Sequence, residues 1–466
     1  MTASVSATLR SDDLLDAWGA TLGRRAADAA IYDTRGAVLR TFGEVEEEAI
    51  RLERDALSVF ERGAVLGIQL GNRPAWPAAL IACLRRGLVA LLLERTIAAQ
   101  ERDVAMRVCR ATGLMIDDTR VTRFDAEPVN WGERTPVLLK LTSGTTAAPR
   151  AIRFRSAQLL ADCEQICDTM GITDRDLNFG VIPVSHSYGF SNLITPLIAR
   201  GVPLVLSQDR MPRAVLEDLA RTGATVFPGM PVFFQAFSEM ADVPPLPRLR
   251  LCISAGAPLS LPVAQKFREK FGQSIHSFYG SSECGGICYD RDAALVEQGF
   301  VGWPMRGVNL DVLEQHAPIS RIRVESAAAG DGYFPDPDVE KLGDGRFAPD
   351  DLLARSGDGF RIVGRVSDVI NVAGKKVNPA EVEAALLAFS GVREAVVFGR
   401  SSALRNEEVA ACIVADHSVA EPELLEFCRC RLSGWQVPKR LFFVAELPVN
   451  ERGKLSRRAL AQQFSA

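Results

Sequence analysis

A chain of 466 residues is long enough for two or three domains and a large core. Its 47% hydrophobic and 24% charged content is that of a soluble globular protein, and a net charge of −4 without long Lys/Arg clusters argues against a nucleic-acid-binding face. Residues Met1–Asp13 lack an apolar core of signal-peptide length, no stretch approaches a membrane span, and the ten cysteines are scattered at apolar positions, a combination that predicts reduced thiols in a cytoplasmic protein.

In chain order, Phe42–Gly63 reads as an amphipathic helix with Ala49, Leu52 and Leu57 turned to a core. Ala64–Leu70 reads as a strand, Asn72 as the cap of a helix running to Arg86, Val89–Leu93 as a second strand and Ile97–Thr112 as a second helix. This alternation predicts a parallel sheet covered by helices. The apolar run Val137-Leu138-Leu139 then leads into Leu141–Ile152, where Thr142, Ser143, Thr145 and Thr146 surround Gly144 and are followed by Pro149 and Arg150. A helix opens at Ser156, so the order is strand, hydroxyl-rich loop, helix. Glycine allows close approach of the backbone to an anion, each hydroxyl can donate to a phosphate oxygen, and Arg150 can add a charge-assisted bond. The spacing of a kinase-like P-loop is absent, so a phosphate loop here is of another class.

Further on, Ser156–Met170 reads as a helix, and the apolar strand Phe179–Val184 ends in Pro183–Phe190, which carries His186, one of only four histidines. Leu261–Phe271 reads as a helix closed by Gly272 in a left-handed cap. From Asp311 the texture changes to short strands and turns, a small β-subdomain, and beyond Arg365–Asp368 comes a compact α+β segment. The expected fold is therefore α/β. A large N-terminal domain of helix-covered β-sheets with a small β-subdomain (1–365) precedes a smaller, mobile α+β C-terminal domain (366–466). Near the helix start at Pro379, Asn378 reads as a cap and Glu381 as the partner completing a capping box.

Four stretches resemble the signature motifs of the adenylate-forming superfamily, which includes acyl- and aryl-CoA synthetases and peptide-synthetase adenylation domains. Thr142–Ala151 is similar to T-S-G-T-T-G-x-P-K-G, departing at Ala147 and Ala151 for Gly and at Arg150 for Lys. Those changes predict a stiffer loop. Phe278–Glu283 resembles Y-G-x-T-E, with Ser254–Pro258 similar to the turn that precedes it. Phe360–Ala385 resembles G-R-x-x-D-x-I-x-x-x-G-x-x-I-x-P-x-E-I-E, and Pro448–Arg457 resembles P-x-T-x-x-G-K-x-x-R.

The resemblance implies ATP-dependent activation of a carboxylic acid as acyl-AMP, followed by transfer to a pantetheine thiol. CoA is the favoured acceptor, an acyl carrier protein is the alternative, and a nucleotide-binding protein without turnover is a third reading. It implies ATP, Mg²⁺ and CoA (or carrier-protein phosphopantetheine) as cofactors. Thr142, Ser143, Gly144, Thr145, Thr146 and Arg150 would hold phosphates. Ala255, Gly256, Ala257, Tyr279, Gly280, Ser281 and Ser282 would surround the adenine and α-phosphate, and Asp351 and Arg365 would hold the ribose. Glu283 would bind the metal and Lys454 would be the catalytic lysine, with His186 beside the carboxylate. Ser367 stands at the hinge about which the C-terminal domain would swing, and Gly374 in the pantetheine passage. Tyr188, Phe190, Phe227 and Met230 would line an acyl pocket suited to an aromatic or medium-chain acid. The run Ser185–Asn192 has no Asp to receive a substrate ammonium, which disfavours an α-amino acid.

Overall fold

The computed structural model describes residues 12–142, 149–314, 317–372, 375–402, 406–416, 419–447 and 457–464. The expectations placed on Ser143–Thr146, Gly374 and Lys454 lie outside them. The chain divides into two compact units, one formed by Met1–Asp311 with Arg323–Ala348 and the other by Val312–Ile322 with Pro349–Ala466.

The first unit holds two sheets. In one, parallel strands lie in the order Ile275–Ser281, Leu251–Ser254, Val226–Gly229, Asn178–Gly180, Leu204–Leu206 and Ala29–Tyr32, with Val38–Thr41 antiparallel at the edge. Beside Ile275–Ser281 the chain doubles back into the antiparallel strand Gly285–Tyr289. The other sheet runs Tyr333–Phe334, Ala151–Phe154, Leu138–Leu141, Val89–Leu92, Val65–Ile68, Ala111–Met115 and Val121–Arg123. Its four central strands from Leu138–Leu141 to Ala111–Met115 are parallel. Val65–Ile68 and Val89–Leu92 are buried at every position, as their unbroken apolar runs require of strands covered on both faces. Phe227 sits at the centre of an aromatic core, its ring centroid 5.6 Å from that of Phe234 and 5.8 Å from that of Phe237. Truncating it to Ala would cost about 3–5 kcal/mol.

The structure corrects several local readings. The helix that opens at Phe42, with a capping box between Thr41 and Glu44, ends at Arg54 rather than Gly63. There Ser58 Oγ donates to the Asp55 carbonyl, a local bond that competes with the helical ladder. The next helix spans Trp76–Arg86 and has no side-chain cap. Asn72 instead donates to the carbonyls of Gly180, Ile182 and Ser207 and accepts from the Val184 amide, fastening one sheet's edge to the next segment. Glu381 completes no capping box: Asn378 caps alone, accepting from Ala380, while Glu381 accepts from Gln436 Nε2 at 2.8 Å. The hydroxyl-rich loop leads to a strand, not directly to a helix. Ala151–Phe154 pairs antiparallel with Leu138–Leu141 before the helix Ser156–Met170 begins. Ala151, read as a loop position that had lost its glycine, is fully buried in that strand and paired with Leu141 and Phe334.

The second unit contains the hairpin Asp351–Ser356/Gly359–Arg365 and a sheet of Lys375–Val377, Ile370–Val372, Asn406–Ala415 and Val392–Ser402, to which Arg440–Phe443 adds in parallel. Helices Pro379–Leu387 and Glu421–Arg429 cover it, with Val377, Val382, Leu386, Ile413 and Leu424 at the core.

Candidate active site

In an open parallel sheet, ligands collect beyond the carboxyl ends of the strands. Four neighbouring strands of the first unit end there in motif residues. Asn178–Gly180 runs on to His186–Phe190, Val226–Gly229 to Met230, Leu251–Ser254 to Ala255–Ala257, and Ile275–Ser281 carries Tyr279 and Gly280 into Ser282 and Glu283. A separate cleft lined by Arg24, Tyr32, Asp174, Arg175 and Arg248 opens at the opposite, N-terminal ends of these strands, away from every motif.

Hydrogen bonds tie these ends together. Ser187 Oγ donates to Ser282 Oγ at 3.0 Å. The Tyr188 hydroxyl donates to the carbonyls of Gly229 (3.3 Å) and Ile253 (3.2 Å), so its ring is fixed between two strand ends. Burial raises its pKa well above the ordinary tyrosine value, which keeps it a neutral donor. His186 Nδ1 accepts from the Tyr188 amide at 3.3 Å, which assigns the ring proton to Nε2. Ser281 Oγ accepts from the amides of Glu283 and Cys284 and forms the turn that presents the carboxylate. Gly280 has no room for a side chain, since a Cβ would lie 2.6 Å from the Gly285 carbonyl oxygen. Gly256 adopts φ +88°, a left-handed turn that favours glycine. Phe190 and Phe227 are fully buried, while Tyr188 is 9% exposed and Met230 is half-buried.

Glu283 stands at the centre. Its Oε1 accepts from the Tyr333 hydroxyl at 3.2 Å, and the guanidinium of Arg150 lies 4.4 Å from the centroid of the Tyr333 ring. Burial raises the Glu283 pKa, partly offset by hydrogen bonds to its own backbone and from Tyr333. Lys341 acts on this half-buried carboxylate through space, and Ser281 adds a further hydrogen bond. Among the described residues no three His, Cys, Asp or Glu side chains gather as a metal-ligand group. The single carboxylate of Glu283 is a donor suited to Mg²⁺, which takes one or two carboxylates and fills its other positions with phosphate oxygens and water. Thr142 begins the loop, its amide and its hydroxyl both donating to the Arg150 carbonyl, at 2.8 and 3.1 Å.

Two residues of this cluster escape a reading of the sequence. Tyr333 comes into register with Ile152 only through strand pairing, and nothing in its local sequence announces that. Lys140 is the one buried lysine among the described residues. Its signal was visible, a rare lysine interrupting the apolar run before the loop, in a chain with only eight.

In the second unit Arg365 Nε donates to Asp351 Oδ1 at 2.8 Å across paired strands, so the two residues read as ribose contacts hold each other. Ser367 lies in a single 3₁₀ turn, Val366–Asp368. Arg457, the last residue of the lysine motif, reaches Asp368 at 2.8 Å and Glu383 at 2.7 Å and donates to the Val397 carbonyl.

Two family models match this chain. The model of the AMP-binding enzyme covers residues 117–321, and that of the AMP-binding enzyme C-terminal domain covers 381–454. The chain belongs to the adenylate-forming superfamily. It is 27% identical to a 2-succinylbenzoate–CoA ligase of Bacillus velezensis, over 93% of this chain and 94% of the other. It is 27% identical to a 3,4-dihydroxybenzoate–[aryl-carrier protein] ligase of Bacillus anthracis, over 81% and 85%. In structure it is similar to ATP-bound MatB from Rhodopseudomonas palustris, with a TM-score of 0.84, 22% identity and coverage of 96% and 98%. Like the superfamily's AMP-forming acid–thiol ligases, it has a mixed α/β fold with a large N-terminal part and a smaller C-terminal one. No helix among the described residues is long and apolar enough to cross a membrane.

Proposed function

We propose that this enzyme activates a carboxylic acid, aromatic or of medium chain length, as acyl-AMP and passes the acyl group to the thiol of CoA. The half-buried Glu283, braced by Tyr333 at the carboxyl ends of the strands, is the observation that supports it best. In the first half-reaction an oxygen of the acid attacks the α-phosphorus of ATP, and the bond to the β-phosphate breaks to release pyrophosphate. In the second the thiol sulfur attacks the acyl carbon, its proton passes to solvent, and AMP leaves.

Mg²⁺ bound at Glu283 would supply charge neutralisation along the polyphosphate. The chain's own residues do the positioning. Thr142, Ser143, Gly144, Thr145 and Thr146 wrap the phosphates, and Arg150 is steered by its place on the Tyr333 ring. Ser281 and Ser282 shape the turn beside the α-phosphate, and Tyr279, with Ala255, Gly256, Ala257 and Gly280, frames the adenine. Asp351 and Arg365 hold the ribose. His186, with its proton on Nε2, orients the acid, and Tyr188, Phe190, Phe227 and Met230 bound its apolar part. Lys454 follows the negative charge that develops in the adenylation step, a role suited to a compact ammonium. Ser367 is the hinge and Gly374 borders the thiol's path, with the mobile domain taken as 366–466. Holding reactants in register supplies most of the acceleration, with no covalent enzyme intermediate.

The 3,4-dihydroxybenzoate ligase of Bacillus anthracis, whose acceptor is an aryl-carrier protein, favours a second acceptor, a carrier-protein pantetheine. Offering the enzyme ATP, a panel of acids, and either CoA or a pantetheinylated carrier protein decides between them. Thioester formed on CoA supports the main reading. Thioester formed only on the carrier protein replaces it.

A further inference from the structure

The strand that feeds the phosphate loop carries a lysine where an apolar residue would be expected. Lys140 is 3% exposed and fills the interior side of Leu138–Leu141. Its ammonium lies 4.6 Å from the ring centroid of Phe154 and 5.2 Å from that of Phe190. Among the described residues it makes neither an ion pair nor a hydrogen bond. Lysines are almost never fully buried unless paired, because removing the charge from water is expensive. Two aromatic faces offset only part of that loss. Asp162 and Glu283 act on it through space, but desolvation outweighs them and lowers the lysine pKa. Asp162 is itself buried and is held in place by the Gly286 amide at 3.1 Å, one turn beyond Glu283.

The placement is specific. The strand ends at Leu141 and Thr142 follows at once, its amide still bonded to the Arg150 carbonyl, so the Cα atoms of Lys140 and Thr142 are roughly 7 Å apart along the chain. The buried cation therefore stands on the strand that runs into the phosphate loop, two residues before its first hydroxyl, with Glu283 among the charges that act on it. Of the other cations of this region, Arg150 is engaged with the Tyr333 ring, and Lys341 also acts on Glu283.

We propose that Lys140 is a positioning residue for the nucleotide: a fixed positive charge in the floor of the site whose field holds the polyphosphate and the Glu283 carboxylate together. The proposal takes its ligand from the adenylation reading, but its test needs no turnover. A unit charge on the order of 10 Å from a phosphate, at an effective dielectric of about 20, changes binding by on the order of tenfold. A lysine with only a packing role predicts the reverse pattern, since replacing an unpaired buried charge by an apolar side chain of like volume is neutral or stabilising.

The experiment measures calorimetric binding of Mg·ATP, Mg·ADP and adenosine to the full-length protein, its Lys140→Met and Lys140→Arg variants, and thermal denaturation of each without ligand. Lys140→Met should melt no lower than the wild type yet bind Mg·ATP on the order of tenfold more weakly. The loss should be smaller for Mg·ADP and absent for adenosine. Lys140→Arg, which keeps the charge but overfills the space, should melt lower and retain most of the Mg·ATP affinity. Unchanged Mg·ATP binding by Lys140→Met, or an equal loss for ATP and adenosine, would overturn the proposal. So would failure of both Lys140→Met and Lys140→Gln to fold while Lys140→Arg folds. If the expected pattern is found in a protein that activates no acid, the proposed function falls and this inference stands.

Discussion

The two units treat the charges of their motifs in opposite ways. In the second, Arg365 lies on Asp351, and Arg457 spans Asp368 and Glu383, so these motif charges have partners of opposite sign within 2.8 Å. In the first, Glu283 is half-buried against a neutral hydroxyl, and Lys140 is buried against two rings. Paired, half-exposed charges are a way to hold a small domain together. Charges drawn wholly or partly out of water, of which neither is ion-paired, are a standing destabilisation, kept where a ligand's charge completes the arrangement. On the proposed function, the nucleotide's phosphates belong beside these unpaired charges.

The largest expected effect lies three residues before Arg457. Lys454→Ala should lower carboxylate-dependent adenylation by at least about a hundredfold while leaving thioester formation from supplied acyl-AMP within a few-fold. Equal loss of both half-reactions would show that Lys454 serves the fold or both steps alike.

Next comes the unpaired carboxylate. Glu283→Gln should reduce adenylation by about a hundredfold and yet raise the melting temperature of the ligand-free protein. The sign follows from its raised pKa. The folded state holds the proton more tightly than the unfolded chain, so stability falls as pH rises from the ordinary carboxylate range through the folded value. The gain from Glu283→Gln should thus be present above that window and vanish below it. A variant that melts lower at neutral pH would mean the carboxylate is structural, and the contrast between the units would fail.

Arg457→Met probes the paired side. Removing a half-buried guanidinium that serves two carboxylates and a carbonyl should cost about 2 kcal/mol in urea denaturation. Adenylation should fall several-fold, because Lys454 lies three residues upstream. A stability change below about 0.5 kcal/mol would place these ion pairs among the surface kind that contribute little.

The smallest effect concerns a first-unit carboxylate that does have a partner. Burial raises the Asp176 pKa, but Arg250 grips both its oxygens, Thr173 and Thr225 donate to it, and the net shift is downward. Its contribution is present above the unfolded value and lost as pH falls through the depressed folded one. Arg250→Met should therefore flatten the acid limb of the stability profile and leave adenylation unchanged.

The order of elements and the motif loops were legible in the sequence because strand ends, Gly caps and apolar runs are local signals. The helix Leu261–Phe271 with its left-handed Gly272 (φ +68°) and the helix Ser156–Met170 stand where their patterns put them. What escaped depends on pairing over long separations. Ala151–Phe154 looks like part of a loop until Tyr333–Phe334, some 180 residues later, forms its other edge. That pairing also brings Tyr333 to Glu283. Asn72 sits in the position of a helix cap, yet three carbonyls more than a hundred residues away take its side chain.

Carboxylate-dependent exchange of labelled pyrophosphate into ATP, with mass-spectrometric trapping of the acyl-AMP, tests the central claim most directly. The account predicts exchange that requires both Mg²⁺ and one class of aromatic or medium-chain acid, with an adenylate of matching mass and almost none from Glu283→Gln. Mg·ATP binding without exchange for any acid in a broad panel would contradict it and leave a nucleotide-binding protein without turnover.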